Sequence, residues 1–143
     1  MLACTTIFAA MASAARPLPV LAAPVPAGFP SPADDYVEGK LDLNEHLIRR
    51  PAATFIVRVE GESMIEAGIF SGDLLVVDRG IEARPDSIVV AAVGGELVVK
   101  RLRKEGAGWF LAAENPDFPP IEIGADCAIW GVVTSSIRRF DRR

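Results

Sequence analysis

The stretch SIVVAAVGGELVVKRL, residues 87–102, decides the fold. Two runs rich in β-branched residues flank Gly94-Gly95. A glycine pair suits the two-residue turn whose central positions both take positive φ, so the segment reads as a β-hairpin. Side chains alternate along a strand, so Glu96, Val98, Lys100 and Leu102 share one face of the second arm. Lys100 is then flanked on its own face by two aliphatic neighbours. A lysine so placed either reaches along the edge to water or loses its water, and desolvation disfavours the ammonium form.

The pattern repeats on either side of the hairpin. TFIVRVEG (54–61) alternates, with Phe55, Val57 and Val59 on one face and Arg58 and Glu60 on the other. DLLVVD (73–78) is a short apolar run led by a Ser-Gly-Asp turn. GWFLAAEN (108–115), IEI (121–123) and AIWGVVTSSIRR (128–139) complete a series of short strands, with PDFPP (116–120) as a break. Turn signals between short strands and little helix predict a compact, mostly-β domain, rolled or half-rolled into a barrel. There is no internal repeat and no helix-turn-helix pattern.

Upstream the texture changes. Residues 1–32 are rich in Ala and Pro and nearly uncharged, and read as a flexible N-terminal arm ahead of a folded unit at 33–143. Within 33–50, Asp42 is placed to cap a short helix with Leu43, Leu47 and Ile48 on one face. The Ala-rich start contains Ala-Ser-Ala at 12–14, but no Lys or Arg precedes Arg16. The basic opening of an export signal is therefore missing, and the apolar run is shorter than the roughly 20 residues a membrane span needs. A cytoplasmic protein without a membrane anchor is expected.

Composition narrows the function. The chain has 143 residues, half of them apolar, and a net charge of −4. Direct nucleic-acid binding is not expected, because phosphate recognition rests on clustered Lys and Arg. RLRK (101–104) and RRFDRR at the C-terminus are expected as solvated strand ends. With two cysteines, Cys4 and Cys127, and one histidine, His46, neither a metal site nor a cofactor is expected. Cys127 reads as a small core residue.

One segment, VEGESMIEAG, could carry chemistry: Ser63 stands two residues past Gly61, just beyond a strand, where a solvent-facing hydroxyl is expected. It is not the G-x-S-x-G elbow, because Ile65 occupies the second glycine's place. A serine nucleophile needs a base. His46 is one candidate, in the polar helical stretch; Lys100 is the other, and Ser-Lys pairs are a known variant of triad logic.

Three stretches together, FPSPADDYVEGKLDLNEHL, GESMIEAGIFSGDLLVVD and DSIVVAAVGGELVVKRL, resemble the LexA/UmuD-type family of self-cleaving Ser-Lys peptidases over about residues 27–135. The resemblance implies that Ser63 is the nucleophile and Lys100 the general base. It puts the scissile bond at Ala27-Gly28, in VPAGFPSP, where prolines on both sides keep the chain extended. The oxyanion would be held by backbone N–H groups at Glu62 and Ser63. UmuD-type proteins usually carry Cys before the cut and LexA-type repressors Ala; residues 1–26 do not match the family's arm.

What the resemblance implies beyond chemistry is a cytoplasmic homodimer in the SOS response to DNA damage. A RecA–single-stranded-DNA filament would stimulate its cleavage. The shortened product would join a UmuC-like polymerase subunit in translesion synthesis. Two rivals share the same residues: a signal-peptidase-like enzyme acting on exported proteins, and a non-catalytic β-rich binding module.

Overall fold

The computed structural model describes residues 3–9, 14–21 and 37–141. The scissile bond expected at Ala27-Gly28 lies outside these residues. Among the described residues ten strands and one short α-helix follow in chain order: β1 Ala3–Ala9, β2 Pro17–Leu21, β3 Val37–Asp42, α1 Leu43–Leu47, β4 Thr54–Glu60, β5 Leu74–Asp78, β6 Ile88–Val93, β7 Glu96–Glu105, β8 Gly108–Ala112, β9 Ile121–Glu122 and β10 Cys127–Ile137.

Eight strands form one antiparallel sheet in the order β1-β4-β5-β10-β6-β7-β8-β9. β1 also meets β7, with Ala3 opposite Val98, so the sheet closes on itself from β1 round to β7. The ring is closed by this one pair, and β8 and β9 continue the sheet beyond it to an edge at β9. β2 and β3 make a separate two-stranded sheet, with Pro17 opposite Asp42.

The hairpin forms as its sequence requires. Gly94 and Gly95 take φ of +57° and +84°, and Ile88–Val93 pair residue for residue with Glu96–Arg101. Both faces of the hairpin are buried. Val90 and Val99 pack into one core cluster with Val57, Val59, Met64, Leu75 and Val77. Val89, Ala91, Val98 and Leu102 pack into a second with Leu111 and Val132. Burial on both sides explains the unbroken apolar runs, since a strand with one wet face would alternate. Gly131 marks a close approach: a β-carbon there would stand 2.6 Å from Val77 Cγ1, beside an irregularity in the β10–β6 ladder.

Asp42 caps α1, its carboxylate accepting the Asn44 N–H at 3.0 Å, as expected. Ahead of it, Val37–Asp42 is a strand, upstream of residue 54, where the strand pattern was expected to begin. The basic clusters also differ from expectation. Arg101 and Arg103 both bond Glu114, and Arg103 also bonds Asp86, while Arg138 grips Asp73. Strands fix the direction of these side chains and bring acidic partners within reach. Cys127 is half-buried at the start of β10 rather than in the core. Among the described residues no helix is long and apolar enough to cross a membrane, and no group of three or more His, Cys, Asp or Glu could hold a metal.

Candidate active site

β4 delivers Ser63 to its place. The strand ends at Glu60, and Gly61 turns the chain with φ of +95°, a conformation that costs a side chain dearly. Glu62 stays exposed, and Ser63 and Met64 then turn inward. Met64 is buried in the first core cluster, and its carbonyl accepts the N–H groups of Ala67 and Ile69 at 3.0 and 3.2 Å. A single 3-10 turn, Ile65–Ala67, follows and ends on left-handed Gly68. Ser63 is 0% exposed. This corrects the solvent-facing serine expected from the sequence.

The cause is the segment after β8. Glu114 donates its N–H to the Ser63 carbonyl at 2.8 Å and accepts the Glu66 N–H at 2.9 Å. Asn115 donates its side-chain amide to the Glu62 carbonyl at 2.9 Å and accepts the Asp117 N–H at 3.0 Å. The break PDFPP is therefore not a loose connection. It is a turn, closed by a Phe118 N–H to Asn115 carbonyl bond, that folds against the serine loop. The Asn-Pro dipeptide at 115–116 is the signal that could have announced it.

These bonds orient two peptide planes. No peptide bond in the described chain is cis. In a trans peptide the N–H points opposite to the C=O. With the Glu62 carbonyl turned to Asn115, the Ser63 N–H faces the other way. Of the pair expected to stabilise an oxyanion, Glu62 and Ser63, the second thus has its N–H direction set by a named side chain.

Lys100 reaches the same segment from β7. It pairs across the hairpin with Val89 and is 1% exposed, between buried Val98 and Leu102. The desolvated of the two states open to it is the one observed. Its ammonium lies 5.5 Å from the centre of the Phe118 ring. Burial pushes the amine below its usual pKa of 10.5. Ser63 and Lys100 thus converge on residues 114–118, one through Glu114 and the other through Phe118. His46 is exposed on α1, in a surface cleft lined by Lys40, Asp42 and Arg49. The structure does not bring it to Ser63.

The serine loop is anchored at its far end too. Asp73, 3% exposed, receives two hydrogen bonds from Arg138, at 2.8 and 2.6 Å, and one from the Phe70 N–H at 2.9 Å. Arg138 also donates to the Gly68 carbonyl and lies over the Phe70 ring, 4.2 Å from its centre. Fork-to-carboxylate pairing of this kind fixes geometry as well as charge. The hydrogen bonds from Arg138 hold the Asp73 carboxyl below its usual pKa of 3.8, against the opposing effect of burial.

The family model described as Peptidase S24-like matches residues 19–134. Protein SamA of Salmonella typhimurium is 49% identical over 114 residues, covering 80% of each chain. Protein MucA of Escherichia coli is 43% identical over 129 residues, covering 88% of each. The LexA repressor of Pseudomonas chlororaphis is 42% identical over 118 residues, which span 80% of this chain and 58% of the repressor. The chain belongs to the peptidase S24-like family, as its resemblance to LexA/UmuD-type proteins implied.

Proposed function

We propose that this protein is a UmuD-like self-cleaving serine peptidase of SOS mutagenesis that cuts its own chain between Ala27 and Gly28. Ser63 is the nucleophile and Lys100 the general base. The observation that carries the reading is Lys100: a lysine buried in apolar surroundings, its amine depressed below 10.5, packed on the segment that holds the Ser63 loop.

The chemistry follows from that placement. Neutral Lys100 takes the proton of Ser63 Oγ as the oxygen attacks the Ala27 carbonyl carbon. The negative charge that develops on the carbonyl oxygen is met by the N–H groups of Glu62 and Ser63. Lys100, now an ammonium, gives its proton to the departing Gly28 nitrogen and the peptide bond breaks. Water, deprotonated by Lys100, then hydrolyses the ester and frees Ser63. Tethering the scissile segment to its own enzyme supplies the encounter that a free substrate would need a binding cleft to achieve.

The protein acts as a cytoplasmic homodimer. A RecA–single-stranded-DNA filament raises its cleavage rate by favouring the docked state of the scissile segment, and residues 28–143 join a UmuC-like polymerase subunit. Incubation of purified protein followed by intact-mass measurement tests the core of this reading. Wild type yields a chain beginning at Gly28, and Ser63→Ala yields none while keeping its fold. A Gly28 chain from Ser63→Ala removes Ser63 from the role.

A further inference from the structure

The outer edge of β7 is divided. β8 pairs with Arg101–Glu105 and stops there. Beyond that point, along Leu97–Lys100, the described contact on this edge is β1, through Ala3 opposite Val98. β4 has the complementary arrangement. β5 takes one edge, and β1 takes the other over Ala3–Ala9, with Ala3 opposite Glu60 and Ala9 opposite Phe55. Ala3 therefore stands between two strands, three residues upstream of Ser63 on one side and two upstream of Lys100 on the other. At about 3.3 Å per strand residue, Lys100 is only about 7 Å further along β7. From the positions opposite Ala3, β4 and β7 run on toward the serine and the lysine.

We propose that the facing edges of β4 and β7 form a strand-docking surface for which two segments of this chain compete: Ala3–Ala9, which occupies it in this structure, and the scissile segment around Ala27-Gly28. The proposal rests on the self-cleavage reading above. A bond cut by Ser63 with Lys100 as base has to pass between them, and an extended chain enters a sheet by pairing with its edge. Each edge offers one row of N–H and C=O groups, so it accepts one strand at a time.

The two competitors are unequal. β1 is ACTTIFA, uncharged, with β-branched residues and no proline, and it makes six register pairs with β4. The scissile segment carries Pro24, Pro26, Pro30 and Pro32. A proline has no N–H to give to a ladder. Both segments are tethered, so both are present at high effective concentration. The better ladder wins, and the cleavable state is reduced to the fraction of molecules in which β1 has left. A docked β1 therefore slows unassisted cutting, in addition to any limit set by Lys100.

The register supplies a reversible test in the full chain. Cys4 is opposite Val59. In Val59→Cys, with Cys127→Ser to remove the other thiol, oxidised glutathione joins Cys4 to the new cysteine and locks β1 in place. The locked protein is expected to produce the Gly28 chain at least tenfold more slowly than the same protein after reduction. In Thr6→Pro/Ile7→Pro, adjacent N–H groups are lost. They point to opposite sides of the strand, so one of them faces β4, and cutting is expected to run several-fold faster than wild type. Failure of the disulfide to form, equal rates for locked and reduced protein, or no acceleration by the double proline each overturns the competition. If reduced, double-proline and wild-type proteins are all inert, self-cleavage itself is lost, and that result is distinct from equal, measurable rates.

Discussion

Lys100 is costly to the fold and suited to the proposed chemistry for one reason, the burial of its amine. Its pKa in the folded protein is below the 10.5 of an exposed lysine. Between the folded and unfolded values the unfolded chain binds more protons, so stability rises with pH across that window. Below the folded value the full penalty of an ammonium in an apolar site is present. Lys100→Met keeps the length and removes the charge. In a Ser63→Ala background, chosen to prevent the proposed cutting, Lys100→Met is expected to melt several degrees higher at pH 7. The gap should narrow as pH approaches 10. A lower melting temperature at pH 7 contradicts the desolvated lysine. The residue itself was legible: alternation in VVKRL placed it between Val98 and Leu102 before any coordinates did. The burial of Ser63 was not, because it depends on Glu114 and Asn115, about fifty positions away, and no local pattern encodes such a contact.

Among the elements, strands were legible where apolar residues recur with period two or run unbroken between turn signals. β4 and the β6–β7 hairpin are of this kind. β3 was not, because VEGKLD carries glycine and three charged side chains and its pairing with β2 rests on backbone bonds. The anchor between the 68–73 turn and β10 was hidden for a similar reason: Asp73 and Arg138 are 65 positions apart. Asp73 gives this anchor a pH signature. Its folded pKa is depressed, so its contribution is fully present above 3.8 and is lost as pH falls through the folded value. Asp73→Asn is expected to be less stable than its parent at pH 7, with the difference shrinking as pH falls below 3.8 and through the depressed folded value. Thermal melts across that range check it, and a difference independent of pH contradicts it. Such melts also belong in the Ser63→Ala background.

At the scale of the whole molecule, a closed barrel holds a serine on one strand's exit and a lysine inside another, with residues 114–118 as the common support. The central claim is that these two side chains cut the chain that carries them. The rate at which a chain beginning at Gly28 appears, measured at half-unit pH steps for wild type, Lys100→Ala and His46→Ala, tests it most directly. A buried lysine base predicts a wild-type rate that rises with pH as one group loses a proton. The midpoint should lie below 10.5, because burial has depressed that group, and a plateau should follow. Lys100→Ala should be inert throughout, and His46→Ala should follow the wild-type curve. A rate that levels off near pH 7, where a histidine of ordinary pKa has already lost its proton, or a profile abolished in His46→Ala and kept in Lys100→Ala, would contradict the account.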